Sequence, residues 1–455
     1  MIGDLERRHF LRLVSAPLVA TACGEGTAPA TAPSPSRATP PPPPDPSPPA
    51  LPPADPPPVR DGAWMTTGLE FPELASFDEA LRYFMEPLGI PGGSLAVTRN
   101  GRLVLARGYT DESVSDDDDL ITEPTSLFRI ASISKPITAA AVLRLVEDGE
   151  LELSAKLTEL LSLTPPPGQR PDPRLHDVTV LNLLQNLAGF PRDWPWPDQE
   201  ISEALGVPLP ISQADIATYM TGQPLEHPPG TTYLYSNYGY LLLGLLIERV
   251  TGTPYEEYVT NRVWRPLDVT RSVLGRALEE HRRPGEVKYH DPRSYPTVMD
   301  DSGAIVPCPY GGVNWENWGA GGSWLSSAVD VVRFAAALDE PAASPVLNAA
   351  SIEIMFGLPE NIGPAAYTLG DPYYACGWQV RDYGNGSRNT WHSGGGCGQR
   401  TFLVRRRDGL SWAVLFNRSD ANVDYGEIYR LLDVAADSVA RWPDHDLFDR
   451  YLDLT

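Results

Sequence analysis

The sequence predicts an α+β fold, in which an antiparallel β-sheet is built from N- and C-terminal strands and flanked by helices, with an inserted all-helical region. The segment "GGSLAVTRNGRLVLARGY" has two alternating runs joined at Asn100-Gly101. A second such pair, "QRTFLVRRRDGLSWAVLFN", turns at Asp408-Gly409. Both patterns are hairpin signals. Because the chain between them is mainly helical and shows no βαβ alternation, the two hairpins are expected to share one antiparallel sheet.

Six segments predict the helices. The first, "SFDEALRYFMEPLG", has the capping-box spacing of Ser76 and Glu79. The second runs from Phe128 to Leu151 and closes at Asp148-Gly149. The others are "DVTVLNLLQNLAGF" with its own cap, "YSNYGYLLLGLLIERVTG" as a loop leading into a buried helix, "SSAVDVVRFAAAL" and "YGEIYRLLDVAADSVARW". The region from Arg282 to Asn317 is predicted to be a loop.

Composition limits the classes of partner. The chain has 455 residues, of which 42% are hydrophobic, so it can bury a large core. Its formal net charge of -23 argues against nucleic acid or an anionic lipid surface as the main partner. The 4 cysteines have no zinc-type spacing, so we expect neither a metal nor a cofactor. The acidic run Asp116 to Asp119 is predicted to be a solvated loop, with a calcium site as the alternative, although EF-hand spacing is absent.

The N-terminal region predicts export. Residues 1–23 contain Arg7-Arg8, a short apolar run and Cys23, and they resemble a twin-arginine signal with a lipoprotein cleavage site. The apolar run is too short to span a bilayer. Residues 24–60 are rich in proline and are expected to form a disordered tether. The globular domain is predicted over residues 68–445, with a lipid on Cys23 as its sole link to the membrane.

The pair Ser132 and Lys135 is the first candidate for catalysis. Residues three apart on a helix share a face, so the Lys135 ammonium can reach the Ser132 hydroxyl. A serine hydroxyl becomes a good nucleophile only when a base takes its proton. A serine cap beside a surface lysine is the simpler interpretation of S-x-x-K alone.

Two further motifs favour the catalytic interpretation. Tyr235-Ser236-Asn237 lies in "PPGTTYLYSNYGY", and His392-Ser393-Gly394 lies in "NTWHSGGGCGQRTFLV". The order S-x-x-K, Y-x-N, H-x-G resembles the penicillin-recognising serine hydrolases, which include class C β-lactamases, D-alanyl-D-alanine carboxypeptidases and related esterases. The flanks "LFRIASISKP" and "AGGSWLSSAVDVVRF" also look like that family, and the resemblance runs from about Phe77 to Asn417. It implies a β-lactamase/transpeptidase-like fold, with the active site between the sheet and the helical region.

The resemblance also implies roles. Ser132 would be acylated, while Lys135 and Tyr235 would share the proton transfers. The hypothesis is that Lys135 stays protonated and lowers the pKa of Tyr235, with His392 assisting when it is charged. Asn237 would hydrogen-bond the substrate amide or Lys135.

The third motif would bind the substrate through His392, Ser393 and Gly394. The backbone N–H groups of Ser132 and Gly395 would form the oxyanion hole. The family segment "LLTHTSGL" is replaced here by "LLQNLAGF", in which Asn186 and Ala188 are expected to be structural.

Two groups of residues near these motifs leave alternatives open. Cys397 is interpreted as a small residue in a glycine-rich turn, with a disulfide to Cys308 or Cys376 as the alternative. Tryptophans of the 315–324 region are expected to pack or to line an acyl pocket: Trp315, Trp318 and Trp324.

The predicted function is that of an exported serine hydrolase that forms an acyl-enzyme at Ser132 and cleaves an ester or amide. The substrate would be a small molecule or a peptide, including cell-wall peptide. An esterase or D-amino-acid peptidase is favoured over a class C β-lactamase, because a neutral His392 binds a carboxylate more weakly than lysine does. Arg400 is a candidate to compensate. The alternative from another class is a non-catalytic envelope protein that binds cell-wall fragments. The oligomeric state is left open.

Overall fold

A computed structural model describes residues 56–116, 120–191, 196–363, 367–420 and 423–452. The signal segment with Cys23, the tether up to residue 55 and Asp117 to Asp119 lie outside these residues. The strands, in chain order, are β1 Val59–Asp61, β2 Trp64–Thr67, β3 Gly92–Arg99, β4 Arg102–Asp111, β5 Phe128–Arg129, β6 Val273–Leu274, β7 Ser294–Pro296, β8 Ile305–Pro307, β9 Trp324–Ser326, β10 Pro372–Tyr374, β11 Gln379–Asp382, β12 Arg388–Gly396, β13 Gln399–Arg405 and β14 Leu410–Phe416.

Nine of these strands form one antiparallel sheet in the order β1-β2-β4-β3-β14-β13-β12-β11-β10. Its centre joins the two ends of the domain, because β3 pairs with β14 in a register that places Leu95 opposite Val414. Asn100 and Gly101 take φ values of 50° and 75° in the first hairpin turn, and Gly409 takes 82° in the second. Such turns favour Asn and Gly because they tolerate positive φ. The predicted α+β class and both hairpins are confirmed.

The helices flank this sheet and fill the chain between the hairpins. They are α1 Ala75–Leu88, α2 Ser134–Glu147, α3 Leu157–Leu160, α4 Val180–Leu184, α5 Asp198–Leu205, α6 Gln213–Thr221, α7 Asn237–Thr251, α8 Tyr255–Val259, α9 Gly319–Gly322, α10 Ala328–Ala336, α11 Ala349–Met355 and α12 Glu427–Asp437. Among the described residues, no helix has both the length and the apolar composition needed to cross a membrane.

Two local predictions about helix starts have different outcomes. The predicted capping box of Ser76 and Glu79 is wrong, because α1 begins at Ala75 without a side-chain cap. The Ser76 hydroxyl instead donates to the carbonyl of Ala435 on α12, at 3.1 Å. The cap predicted for the third segment is present, since Thr179 and Asn182 bond each other's backbone at the start of α4. That helix is only five residues long.

The sheet separates two hydrophobic clusters. Leu95 and Val97 of β3 pack with α1 and α12 on one face. Ala96, between them, belongs to the larger cluster on the other face, with α2, α7 and α10. This alternation follows from the two-residue period of a strand, and it gives a helix–sheet–helix arrangement. The inserted helical region packs on the second face, beside the end of β12.

The folded chain extends past both ends of the predicted domain. Strands β1 and β2 precede residue 68 and pair with each other, and β2 pairs with β4. After residue 445, a 3-10 turn at Phe448–Tyr451 packs Tyr451 into the larger cluster. Short strands join to the sheet because backbone pairing does not require the strong hydrophobic pattern on which sequence prediction depends.

The segment 282–317 is mostly loop, as predicted, with a small β7–β8 hairpin and a 3-10 turn at Trp315–Trp318. A disulfide joins its Cys308 to Cys397, whose Cα atoms are 5.4 Å apart. Of the two interpretations of Cys397, the structure supports the disulfide with Cys308. Cys376 is a buried free thiol, and burial raises its pKa to about 12.

Candidate active site

Ser132 lies in a 3-10 turn, Ala131–Ile133, immediately before α2. Its side chain is partly exposed, whereas Ala131, Ile133 and Lys135 are buried. Ala131 takes a positive φ of 47°, which is rare for a residue with a side chain. The turn therefore presents one reachable hydroxyl at the start of a buried helix.

Lys135 is fully buried and makes three close polar contacts. Its Nζ is 3.1 Å from Ser132 Oγ, 2.8 Å from Asn237 Oδ1 and 2.8 Å from the carbonyl oxygen of Gly321. The latter two oxygens can only accept, so the lysine donates two N–H groups to them in either protonation state. An ammonium would donate its third N–H to Ser132, and a neutral amine would instead accept the Ser132 proton.

Two tyrosine rings also lie close to Lys135. Its Nζ lies 4.7 Å from the ring centre of Tyr235 and 5.4 Å from that of Tyr240. Aromatic faces attract a cation at these distances. The ring centres of Tyr235 and His392 are 6.2 Å apart. The structure thus brings together the predicted residues Ser132, Lys135, Tyr235, Asn237 and His392.

The Tyr235–Asn237 segment is held by the residue that departs from the family pattern. Asn186 Oδ1 accepts from the Ser236 N–H at 3.2 Å, and its backbone carbonyl accepts from the Leu234 N–H at 3.0 Å. Ser236 in turn caps α7 through the N–H of Gly239. Asn186 adopts a φ of 54°, which asparagine tolerates better than most residues do. The expected structural role of position 186 has a clear geometric basis.

Strand β12 passes directly against the nucleophile turn. A Cβ on Gly394 would lie 2.4 Å from the Ile130 carbonyl oxygen and 2.3 Å from Thr401 Oγ1. The Thr401 hydroxyl donates to that same carbonyl at 2.9 Å. Glycine is therefore required at position 394, because any side chain would push the strand away from Ala131. Gly395 follows it, at the position predicted for the second oxyanion donor.

His392 is buried and lies next to two hydrogen-bonding partners. Its Nδ1 is 2.7 Å from the Ser393 carbonyl oxygen, and its Nε2 is 3.2 Å from the Tyr374 hydroxyl. Burial, assisted by the positive charge of Lys135, lowers the pKa of His392 to about 3. The imidazole is consequently neutral near pH 7. A charged His392 is therefore not expected to assist Tyr235 near neutral pH.

Arg400 lies on the other face of the sheet. Its guanidinium carbon is 5.3 Å from the ring centre of Tyr425, a residue of the α1 and α12 cluster. The next residue, Thr401, faces the nucleophile turn. Because adjacent side chains of a strand point to opposite faces, Arg400 does not supply the compensating charge considered for it.

The sequence motifs missed three contributors to the site. The Gly321 carbonyl lies in the "AGGSW" flank, which signalled the family but no specific contact. Tyr240 lies one turn along α7 from the Y-x-N motif, and no motif marks it. Tyr374 is on β10, and no motif marks it.

The tryptophans of the 315–324 region are all buried. The Trp315 ring packs on Gly396, the last residue of β12, where a Cβ would lie 2.4 Å from Cη2.

Within the described chain, one group of side chains has potential metal-ligand atoms within 4.8 Å of one another, namely Asp291, Cys308 and Cys397. The sulfurs are bonded to each other, and Asp291 already pairs with Arg293. This group therefore does not fit a metal site.

Fold and site together define a serine hydrolase. The family model described as Beta-lactamase matches residues 77–437. The chain therefore belongs to the β-lactamase family, and the resemblance drawn from its three motifs is confirmed.

The individual relatives and solved structures share limited sequence identity with the chain. The chain is 30% identical to protein flp of Staphylococcus aureus (strain COL) over 195 residues, which is 43% of this chain and 37% of that protein. It therefore spans well under half the length of this curated relative. The octameric penicillin-binding protein homologue from Pyrococcus abyssi aligns with a TM-score of 0.57 and 25% identity, over 81% of this chain and 78% of that one. The D-amino acid amidase from Ochrobactrum anthropi SV3 aligns with a TM-score of 0.58 and 20% identity, over 80% and 98%.

Proposed function

We propose that the protein hydrolyses an ester or amide through an acyl-enzyme on Ser132. The observation that carries the proposal is the 3.1 Å contact between Ser132 Oγ and a fully buried Lys135 Nζ. A buried lysine that bonds a partly exposed serine serves no obvious packing purpose. The contact does place the nucleophile within hydrogen-bond reach of a group that can accept its proton, or of a positive charge that stabilises another proton acceptor.

In the acylation step, Ser132 Oγ attacks the carbonyl carbon and its proton passes to the base. The tetrahedral intermediate collapses when the leaving group departs with that proton, which leaves the acyl group on Oγ. In deacylation, the water oxygen attacks the acyl-ester carbon while the base takes a proton from the water. The bond between the acyl carbon and Ser132 Oγ then breaks, Oγ takes that proton back from the base, and the acid product leaves. Tyr235 is proposed as the base, as a phenolate stabilised by the Lys135 ammonium 4.7 Å from its ring.

The remaining predicted residues hold the substrate. The N–H groups of Ser132 and Gly395 are proposed to bind the oxyanion, because Gly394 places β12 against the nucleophile turn. Asn237 fixes Lys135 through Oδ1. Ser393 of β12 lies opposite Phe402 of β13 in the strand register. A contact between Ser393 and the substrate remains a prediction.

Export and anchoring are part of the proposal and rest on the sequence alone. Arg7-Arg8 and Cys23 support export with lipid attachment, and the proline-rich residues between Cys23 and β1 would tether the enzyme to the membrane surface. An amide or ester of a small acyl group or of cell-wall peptide is the proposed substrate. The D-amino acid amidase that shares the fold is named for an amide substrate.

A fluorophosphonate probe tests the nucleophile. Mass spectrometry of the labelled protein should locate the adduct on Ser132, and Ser132→Ala should lose both labelling and turnover of a p-nitrophenyl ester. Ser134→Ala is the matched control, because Ser134 is buried two residues away and should leave labelling intact. An adduct on another residue, or none, would refute the proposal.

A second measurement separates the roles of Tyr235 and Lys135. General-base assistance is typically worth about 10²–10⁴-fold in rate. Tyr235→Phe should lower kcat by about that factor, and Lys135→Ala by at least as much, because the charge that stabilises the phenolate is gone. The double variant should be little worse than either single variant. Near-wild-type turnover by Tyr235→Phe would instead make neutral Lys135 the base.

A further inference from the structure

A chain of buried hydrogen bonds runs behind Lys135, one turn along α2. Trp324 Nε1 lies 2.9 Å from the hydroxyl oxygen of Tyr255, the first residue of α8. That hydroxyl lies 2.6 Å from Thr138 Oγ1, which is 2.7 Å from the carbonyl oxygen of Ala320. The four residues of this chain are buried, so its bonds are shielded from competition with water.

The two ends of the hydrogen-bond chain set its direction, because an indole N–H can only donate and a carbonyl oxygen can only accept. Trp324 therefore donates to Tyr255. Thr138 has two carbonyl oxygens within reach, and that of Ala320 is nearer than that of Ser134, which is 3.1 Å away. The Tyr255 hydroxyl already accepts from the indole, and it donates its own proton to Thr138. Burial raises the pKa of Tyr255, so its hydroxyl keeps the proton that this bond needs.

The Ala320 carbonyl is next to the carbonyl that accepts from Lys135. Helix α9 has only four residues, Gly319–Gly322, and the last carbonyls of a helix lack partners within it. Helix α2 supplies a partner to Ala320 through Thr138. It supplies another through Lys135, whose Nζ is 2.8 Å from the Gly321 oxygen. Since residues three apart share a helix face, these two bonds tie α9 to α2 side by side.

Helix α9 packs against both α2 and α7, and its position depends on the bonds from α2. A Cβ on Gly244 of α7 would lie 2.9 Å from the Ala320 Cβ, so the two backbones are in close contact there. Without the Thr138 hydroxyl, the buried Ala320 carbonyl would be left unpaired, which is costly. The α9 backbone would then shift towards another donor, and the Gly321 carbonyl would move away from Lys135.

We propose that Thr138 and Tyr255 are positioning residues for Lys135. They hold the Gly321 carbonyl against its Nζ and so stabilise the ammonium form, because a carbonyl oxygen bonds an ammonium more strongly than a neutral amine. Thr138 acts through the α9 backbone, and Tyr255 acts through Thr138. The inference rests on the proposed function, in which the Lys135 ammonium stabilises the Tyr235 phenolate.

Other ionisable groups also face Lys135. The ring centres of Tyr235 and Tyr240 lie 4.7 Å and 5.4 Å from its Nζ. His392 of β12 is close enough for the lysine charge to help lower the imidazole pKa. The Cys376 thiol interacts with Tyr240 and stays neutral, because burial raises its pKa to about 12. None of these four groups is altered by a substitution on the hydrogen-bond chain, so a change in the Lys135 pKa would report the Gly321 carbonyl.

NMR of the enzyme labelled with ¹³C at the lysine ε-carbon tests the inference directly. The chain has 3 lysines, and the variants Lys156→Arg and Lys288→Arg assign the Lys135 signal by elimination. Thr138→Val, which removes the hydroxyl at nearly constant volume, should lower the Lys135 pKa by about 1. Tyr255→Phe should lower it by less, because Thr138 can still donate. Thr138→Ser keeps the hydroxyl and should keep the wild-type pKa. An unchanged or raised Lys135 pKa in Thr138→Val would overturn the inference. If that variant does not fold, the same result in Tyr255→Phe decides.

Kinetics should separate positioning from packing. On a p-nitrophenyl ester, Thr138→Val should lower kcat about tenfold and leave KM near the wild-type value, because Lys135 acts on proton transfer rather than on binding. Thr221→Val is the matched control, since this threonine is also buried in a helix and bonds the carbonyl four residues earlier, that of Ala217. It should lose similar stability but keep the wild-type kcat and Lys135 pKa. Equal losses of kcat in the two variants would contradict the positioning role.

Labelling of Ser132 keeps this inference apart from the proposed function. If the wild type is labelled and turns over the ester, but the Lys135 pKa does not respond to Thr138→Val, only the positioning role fails. If Ser132 is not labelled and no ester is turned over, the proposed function itself has failed. The Lys135 titration then still decides whether Thr138 holds the Gly321 carbonyl in place.

Discussion

Lys135 shows which groups would offset the burial of an ammonium in this protein. Burying an unpaired ammonium costs several kcal/mol. Here the cost is offset by the oxygens of Asn237, Gly321 and Ser132 and by two aromatic faces. The lysine can thus sit one turn from the nucleophile without making the helix start unstable. Removing any one oxygen is expected to cost more in activity than in stability.

Asp198 provides the contrasting case of a buried carboxyl group without such support. It begins α5, is 5% exposed, and its Oδ1 has no hydrogen-bond partner among the described residues. Burial raises its pKa to about 7. Because the folded pKa is above the unfolded value of about 3.9, the charged form is penalised in the folded state. Stability is therefore lost as pH rises from about 4 through 7.

Asp198→Asn should remove this penalty. At pH 8 the free energy of unfolding in urea should exceed that of the wild type by about 1–3 kcal/mol. Near pH 4 the difference should vanish, because both side chains are then neutral. Glu203→Gln, an exposed change on the same helix, should show no such pH dependence. A gain that is equal at both pH values would contradict the assigned cause.

At the scale of single residues, the sequence could predict contacts between residues that are close along the chain, but not contacts between residues that are far apart in it. Ser132 and Lys135 were recognisable because their spacing is local. Tyr374 on β10 and Gly321 on α9 reach the site from far along the chain, so no periodicity marks them. The predicted cap at Ser76 was wrong for a related reason, since the distant carbonyl of Ala435 took its hydroxyl.

At the scale of elements, β12 connects the nucleophile turn to the 282–317 segment. Gly394 contacts the turn, Gly396 contacts Trp315, and the next residue is disulfide-bonded to Cys308. The strand and the segment are therefore positioned together. The sequence predicted the 282–317 loop but not β12. It could not choose the cysteine pair either, because pairing depends on the distance between folded elements.

Removing this disulfide should affect both stability and activity. A bridge that closes a long loop typically contributes about 2–4 kcal/mol. The double variant Cys308→Ser, Cys397→Ser should lose about that much free energy of unfolding, and its kcat/KM should fall because β12 loses its anchor beyond Gly396. Cys376→Ser is the control, since that thiol is buried and unpaired. Double and control variants with equal stability and equal kcat/KM would disprove the anchoring role.

At the scale of the whole molecule, we expect a lipid anchor to determine where the enzyme works. The mature protein is expected to begin at Cys23 and to partition into detergent, and Cys23→Ser should release it. One acyl chain binds a membrane only marginally, so two or more are expected. Mass spectrometry of the N-terminal peptide measures the modification. A soluble wild-type protein with a different N-terminus would exclude lipidation and leave export open.

The pairing of β3 with β14 also has a consequence for synthesis on the ribosome. Leu95 and Val414, partners at the centre of the sheet, are roughly 320 residues apart in the chain. The nascent chain therefore emerges with its first hairpin unpaired along one edge until β14, the last of the described strands, has been translated. During that interval, the exposed edge of β3 is open to pairing with other chains. Productive folding of this protein thus depends on a partner strand that is among the last parts to be made.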